Sequence, residues 1–259
     1  MHQHGIRTGV ATLTAVALSL SSCASPARPG DSNSATSGGA WQPAFAQESE
    51  LVTNEWAYRN SASTLAVRSQ DWLATSGSLF SRDGGGWSGN PDGDSPDPSS
   101  SNATGSSVLR TVSQREDFSD FKVSTQIRIN EFSTTPRTPA MDYDGVHFFT
   151  NYQDHDNFDS LSLCRRDGAV VIKSKDPANG SDPYVTLDQT DLPCSIGTWY
   201  TVEIDVRRDG NNQIITYYRD GVEVLSHTIE KSSLQPGRIG WRSDNVDFQF
   251  RDFAVETND

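Results

Sequence analysis

The chain has 259 residues, with 34 acidic and 21 basic side chains and a formal net charge of −13 at pH 7. An acidic surface repels nucleic-acid phosphates and anionic lipid headgroups, so neither is expected as a partner. The length suits one folded domain, which we expect to be a monomer.

The first 22 residues have the features of an export signal. Arg7 is their one formal charge, and Val10–Leu20 is an apolar stretch too short to span a bilayer. Leu20–Cys23 resembles the bacterial lipobox, whose cysteine is acylated and begins the mature chain. We therefore expect residues 1–22 to be a lipoprotein signal peptide and Cys23 to anchor the protein at the outer face of the cytoplasmic membrane. An ordinary signal peptide with a chance cysteine is the alternative.

A polar segment follows the cysteine. Ala24–Ala40 is rich in Ser, Ala, Gly and Pro and has almost no large apolar side chain. Such a composition cannot bury a core, so we expect residues 23–47 to form a flexible tether and residues 48–259 to form the domain.

The domain alternates polar and apolar residues with the period of half-buried antiparallel strands, as in Phe121–Ile129 and Tyr200–Val206. A change of parity near Asp252 predicts a β-bulge. Asp-Gly dipeptides tolerate the positive φ of tight hairpins, and several of the four that follow an Arg are expected to join neighbouring strands: 83–84, 167–168, 209–210 and 220–221. The sequence thus predicts an all-β, two-sheet antiparallel β-sandwich.

Four blocks near the C-terminus carry a family resemblance. Their order is a Trp-led strand, a hairpin with Asp-Gly, a Gly-x-Ile-Gly strand and a closing Phe-rich strand: Trp199–Val206, Ile215–Val222, Gly237–Trp241 and Phe248–Val255. This order resembles the concanavalin A-like lectin/glucanase superfamily. The resemblance implies a jelly roll that engages polysaccharide or oligosaccharide. It leaves the activity open, because this fold hosts lectins, binding modules, glycosidases and lyases.

One candidate for catalysis is a pair of carboxylates on a strand. Glu203 and Asp205 match the first half of the Glu-x-Asp-x-x-Glu motif of glycosidases with this fold, but the second Glu is missing and Arg207 follows. Retaining hydrolysis needs two carboxyl groups about 5–5.5 Å apart. Two solvated carboxylates on a strand face are the alternative interpretation.

A second candidate is a basic sheet face. Strand parity and hairpin pairing gather five polar side chains, and two of the chain's four lysines are among them: His147, Asn151, Arg166, Lys173 and Lys175. Cations beside a uronate carboxylate acidify its C5 proton, so His147 as a base would complete a polysaccharide lyase. The same face also suits binding of an acidic glycan without chemistry. A solvated face with lysines protecting a sheet edge is the simplest alternative.

Two further candidates lie in a Gly- and Asp-rich region. Trp87 follows three glycines, which predicts an exposed loop and a platform for sugar stacking, although a loop Trp can also close one end of a sandwich. Asp92, Asp94 and Asp97 offer oxygen ligands for a structural calcium ion, with a mobile insertion as the alternative.

With Cys23 acylated, two cysteines remain, Cys164 and Cys194. In an exported protein, such a pair with no other metal ligand at a suitable spacing predicts a disulfide.

The sequence favours a lipid-anchored carbohydrate-binding protein. A glycoside hydrolase or polysaccharide lyase is the second hypothesis, and a structural envelope protein is the third.

Overall fold

The computed structural model describes residues 40–91, 107–136, 138–177, 180, 183–231 and 234–258. These residues form one short helix, α1 (Glu55–Arg59), and fifteen strands. The strands are β1 (Glu50–Asn54), β2 (Trp72–Ser76), β3 (Ser78–Arg82), β4 (Gly85–Trp87), β5 (Val108–Ser113), β6 (Phe121–Phe132), β7 (Gly145–Tyr152), β8 (Phe158–Arg165), β9 (Ala169–Lys175), β10 (Tyr184–Asp191), β11 (Tyr200–Asp209), β12 (Asn212–Arg219), β13 (Val222–Ile229), β14 (Arg238–Asp244) and β15 (Val246–Thr257). The predicted all-β class is confirmed.

The strands form two antiparallel sheets. The eight-stranded sheet has the order β1-β3-β4-β15-β6-β11-β12-β13, and the seven-stranded sheet has the order β10-β9-β8-β7-β14-β5-β2. One core of buried side chains draws on both sheets, which pack face to face. The predicted two-sheet sandwich is confirmed.

The alternating strands supply this core as expected. Val123 and Ile204 have no exposed surface, and from the other sheet Trp241 packs on Phe148 with ring centroids 4.8 Å apart. Trp199, whose strand pattern predicts a buried ring, is instead partly exposed, because it lies just before β11 among arginine side chains on the outer side of the eight-stranded sheet.

The turns and the bulge also lie where the sequence predicts them. All four of the Asp-Gly dipeptides that follow an Arg lie at hairpins, joining β3 to β4, β8 to β9, β11 to β12 and β12 to β13. In two of them both residues have positive φ, for example 53° at Asp220 and 79° at Gly221. Asp252 has φ 53°, and the register of β15 against β6 shifts between Arg251 and Ala254, so the predicted bulge is confirmed.

The folded domain begins before residue 48. Trp41 and Val255 exchange backbone hydrogen bonds of 2.8 and 2.9 Å, and the Trp41 ring lies 5.1 Å from that of Trp72. Phe45 packs edge-on against Phe250 at 5.4 Å. The tether prediction is therefore wrong for residues 41–47, because these two rings complete the core.

The N-terminal signal and Cys23 lie outside the described residues. In the described part of the chain, the five-residue α1 is far from the length of a membrane span, and nothing helical there has the length and apolar character to cross a bilayer.

Cys164 at the end of β8 and Cys194 after β10 form a disulfide, with Cα atoms 5.5 Å apart. The predicted pairing is confirmed. The bridge closes a loop that contains the whole β9–β10 hairpin, which forms one edge of the seven-stranded sheet.

Candidate functional site

The outer face of the seven-stranded sheet carries the candidate site. Phe148 and Trp241 point into the core, so their sequence neighbours His147 and Arg242 point away from it. The register places Arg242 opposite His147, and His147 opposite Ser162 on β8. These side chains thus lie in one row across three adjacent strands.

A pocket of about 380 Å³ opens on this row. We call it the basic pocket, and its lining consists of two tyrosines, three basic side chains and one carboxylate: Tyr143, Tyr184, His147, Lys173, Arg242 and Asp244. Its walls come from β7, β9, β10, β14 and the loop before β7, so the sandwich topology brings together residues from distant parts of the chain.

The floor of the basic pocket is a buried hydrogen-bonded group. Arg242 Nε donates to Asp244 Oδ2 at 2.8 Å, His147 Nε2 lies 3.3 Å from the same oxygen, and His147 Nδ1 lies 2.8 Å from Ser162 Oγ. Burial lowers the pKa of His147, which keeps the imidazole neutral. Burial opposes ionisation of Asp244, but Arg242 and His147 together hold the pKa of this carboxyl below its usual range.

Lys173 projects into the pocket above this floor. Its Nζ lies 4.8 Å from the centroid of the Tyr184 ring, and no carboxylate in the described part of the chain forms an ion pair with it. Burial lowers the pKa of Lys173, and the nearby Arg165 and Arg242 guanidiniums lower it further. The pocket therefore holds an excess of positive charge although the whole chain is acidic.

Two aromatic rings at the pocket face solvent. Tyr143 is 43% exposed and Tyr184 is 36% exposed. An exposed ring presents an apolar face beside a hydroxyl, and this combination suits the apolar faces and hydroxyls of a sugar.

The structure separates the five predicted basic-face residues. His147 and Lys173 line the basic pocket together. The other three are held by neighbours: Arg166 Nε lies 3.3 Å from Asp144 Oδ2, Lys175 Nζ lies 2.7 Å from Asp156 Oδ1, and Asn151 Oδ1 accepts a 2.8 Å hydrogen bond from Gln153.

The sequence interpretation missed four lining residues: Tyr143, Tyr184, Arg242 and Asp244. Parity could have assigned Arg242 and Asp244 to the outer face of a sheet, since they alternate with the core residue Trp241, but it could not have placed them beside His147.

Trp87 does not lie in an exposed loop, and that prediction is wrong. It belongs to β4, is 7% exposed, and donates from Nε1 to Asp247 Oδ1 at 2.7 Å. The preceding glycines serve close strand packing, because a Cβ at Gly86 would lie 2.2 Å from the ring of Phe250. The buried ring cannot act as the platform for sugar stacking that we expected.

Glu203 and Asp205 lie on the eight-stranded sheet, away from the basic pocket. Glu203 pairs with Lys122 at 2.7 Å and Asp205 pairs with Arg207 at 2.8 Å, in the manner of solvated surface carboxylates. They belong to the other sheet of the sandwich and take no part in the His147 cluster.

The predicted calcium ligands Asp92, Asp94 and Asp97 fall outside the described residues. Among the residues that the structure does describe, no three His, Cys, Asp or Glu side chains are grouped to hold a metal ion.

The chemistry of the basic pocket follows from its charges. Among the described lining residues Asp244 is the one carboxylate, and Arg242 and His147 hold its pKa below the usual range, so these residues do not supply the protonated carboxyl that glycoside hydrolysis requires. His147 is buried, and both of its nitrogens face polar neighbours within 3.3 Å. The arrangement suits capture of an anion better than acid–base catalysis by these two groups.

No protein-family model and no curated protein matches the chain. Solved structures similar to it include the carbohydrate binding module CBM66 from Bacillus subtilis, with 13% identity over 73% of this chain and 96% of that chain and a TM-score of 0.48. A legume lectin-like domain from Entamoeba histolytica has 8% identity over 72% and 88%, with a TM-score of 0.46. An endo-1,3-beta-glucanase from Streptomyces sioyaensis has 12% identity over 84% and 100%, with a TM-score of 0.43. These three have concanavalin A-like folds. Because all three TM-scores are below 0.5, any conclusion about function depends on the residues of the site itself.

Proposed function

We propose that the basic pocket binds an acidic carbohydrate. The observation that carries this proposal is the position of Lys173, which lines the same pocket as Arg242 and has no carboxylate partner among the described residues. Asp244 compensates the charge of Arg242, so the charge of the protonated Lys173 ammonium stays available to a ligand. A carboxylate or sulfate group there would form charge-assisted hydrogen bonds, which are about twice as strong as neutral ones.

The two exposed tyrosines extend the proposal from an anion to a sugar. Tyr143 and Tyr184 flank the cations, so a pyranose ring can stack on an aromatic face while its acidic group reaches Lys173. A small free anion would use the cations without the rings. Acidic oligosaccharides should therefore bind more tightly than free acetate or sulfate.

A polysaccharide lyase is the second candidate, and the Tyr184 ring beside Lys173 favours it. β-Elimination needs a cation at the uronate carboxylate and a base near C5, and a tyrosine can be that base. Incubation with polyuronates decides between the two functions. Growth of absorbance from unsaturated uronates indicates a lyase, whereas binding without product indicates a binding protein.

Replacing Lys173 with Gln should weaken oligouronate binding by roughly 10- to 100-fold, because a charged hydrogen bond contributes about 1.5–3 kcal/mol. Isothermal titration calorimetry measures the change. Lys122→Gln is the matched control, since Lys122 lies on the other sheet and already pairs with Glu203. Equal binding of neutral glucans and oligouronates would contradict the charge argument.

The lowered pKa of Lys173 also predicts a pH dependence. A bound anion raises this pKa, so binding is tightest while the ammonium is protonated and weakens as pH rises through the lowered value. The loss should begin at a lower pH than an ordinary lysine titrates. Lys173→Arg keeps its charge and should remove this alkaline loss, and its persistence in that variant would exclude Lys173 as its source.

We further propose that the protein is held at the outer face of the cytoplasmic membrane by acylation of Cys23, with residues 24–40 as the tether. The lipobox-like tetrapeptide supports this proposal. The wild type should partition into the detergent phase, and Cys23→Ser should leave it unprocessed or released. A wild-type chain found wholly in the culture supernatant, with an N-terminus other than Cys23, would contradict the anchor.

A further inference from the structure

We infer a second anion-binding subsite, centred on Arg110, on the same sheet face as the basic pocket. This inference rests on the proposed function and deepens it, because two such subsites require a chain of sugars with acidic groups on separate residues.

The subsite is a pocket of about 260 Å³, which we call the Arg110 pocket. Two arginines, two tyrosines, a histidine and a threonine line it: Arg59, Arg110, Tyr58, Tyr152, His155 and Thr75. Like the basic pocket, it combines cations with tyrosine rings. Tyr58 is 54% exposed and Tyr152 is 5% exposed, so one ring is open to a ligand and the other forms part of the wall.

The strand register connects the two pockets. Arg110 on β5 lies directly opposite Arg242 on β14, and both side chains project from the outer face of the seven-stranded sheet. Like charges that face each other across an antiparallel pair destabilise the sheet. Arg242 has Asp244 as its partner, whereas Arg110 forms no ion pair with any carboxylate in the described ranges.

Arg110 is also short of hydrogen-bond partners. Its Nε is buried and finds no acceptor among the described atoms, although buried polar groups are normally satisfied. Burial lowers the pKa of Arg110, and the charge of Arg242 adds to this effect. The neighbouring Arg59 is already engaged, because it donates to the carbonyl of Thr75 at 2.9 Å and approaches Glu55 at 3.9 Å. Arg110 is therefore the cation whose unpaired charge an anionic ligand would neutralise.

The two pockets are neighbours, because Arg242 of the basic pocket lies directly opposite Arg110, so the distance between the two unpaired cations Lys173 and Arg110 defines the ligand. From Lys173 on β9 to Arg110 on β5 the sheet crosses four strand spacings, which is about 19 Å. A monosaccharide or disaccharide is shorter than this span. The ligand class is thus a linear acidic polysaccharide that crosses the strands of the sheet, with one acidic group at each pocket.

The experiment is calorimetric titration of the full chain with oligouronates from the disaccharide to the decasaccharide. Arg110→Gln should weaken binding of the long oligomers by roughly tenfold or more and leave a disaccharide held at Lys173 unchanged, because only long chains reach from Lys173 to Arg110. Lys173→Gln should weaken binding of every length. Arg207→Gln is the matched control, since Arg207 lies on the other sheet and is exposed.

The outcomes separate the two proposals. If Arg110→Gln leaves every length unaffected while Lys173→Gln weakens all of them, the second subsite is wrong and the proposed function stands. If neither substitution changes binding at any length, both are wrong. The melting temperature of Arg110→Gln is the control for misfolding. Removal of one of two facing cations should leave Tm unchanged or higher. Arg110→Lys, which keeps the charge, should recover much of the affinity for long chains.

Discussion

Replacing Lys231 with Met is expected to lower the free energy of unfolding by about 3–5 kcal/mol, because the substitution leaves a buried carboxylate without its cation. Lys231 Nζ lies 2.7 Å from Asp159 Oδ1, and Asp159 has no exposed surface. Ser174 donates a 2.7 Å hydrogen bond to the same oxygen, whereas Asp159 Oδ2 has no hydrogen-bond partner among the described atoms. The pair joins β8 of one sheet to the segment after β13 of the other.

Urea denaturation of three variants tests this expectation. Lys122→Met is the matched control, because Lys122 and Glu203 are also 2.7 Å apart but both side chains are more than one-third exposed, and such pairs contribute about 0–1 kcal/mol. Asp159→Leu combined with Lys231→Met removes both charges and should recover most of the loss. Similar losses for Lys231→Met and Lys122→Met would show that burial does not decide the strength of the Asp159 pair.

The elements of this fold were predictable where the signal is local. Alternation within Phe121–Ile129 requires only that one face of the strand be buried, and the Asp220-Gly221 hairpin requires only two adjacent residues that accept positive φ. The order of the strands within each sheet was not predictable from such local signals. β6 ends at Phe132 and lies between β11 and β15, which begin only at Tyr200 and Val246, and no local pattern in any of these strands specifies its neighbours.

The same distinction holds for the candidate site. Residues on strands that pair in sequence order were predictable, whereas residues on a strand from a distant part of the chain were not. His147 and Lys173 were predicted to share a face because β7, β8 and β9 are consecutive and pair in sequence order. Arg242 was missed because β14 inserts beside β7 from the far end of the chain, which sequence order does not reveal. The prediction for Trp87 was wrong because glycines that allow close strand packing look the same in sequence as glycines of a loop.

Loss of the Cys164–Cys194 disulfide is expected to have the second large effect on the free energy of unfolding. Replacing both Cys164 and Cys194 with Ala should lower the free energy of unfolding by about 3–4 kcal/mol, because the bridge joins residues 30 apart and restricts the unfolded chain accordingly. Urea denaturation of the oxidised wild type and the double variant measures the difference. A difference below about 1 kcal/mol would mean that the unfolded chain gains little freedom when the bridge is lost.

The same bridge should influence the basic pocket through the hairpin that it closes. Lys173 lies on β9, which stays paired with β8, whereas Tyr184 lies on the edge strand β10 and is paired through β9 alone. Loss of the bridge should therefore loosen Tyr184 more than Lys173 and weaken oligouronate binding severalfold. A double-mutant cycle tests this route, since Tyr184→Ala should cost less affinity in the cysteine-free chain than in the oxidised one. Equal costs in both backgrounds would show that the disulfide stabilises the fold without ordering the pocket.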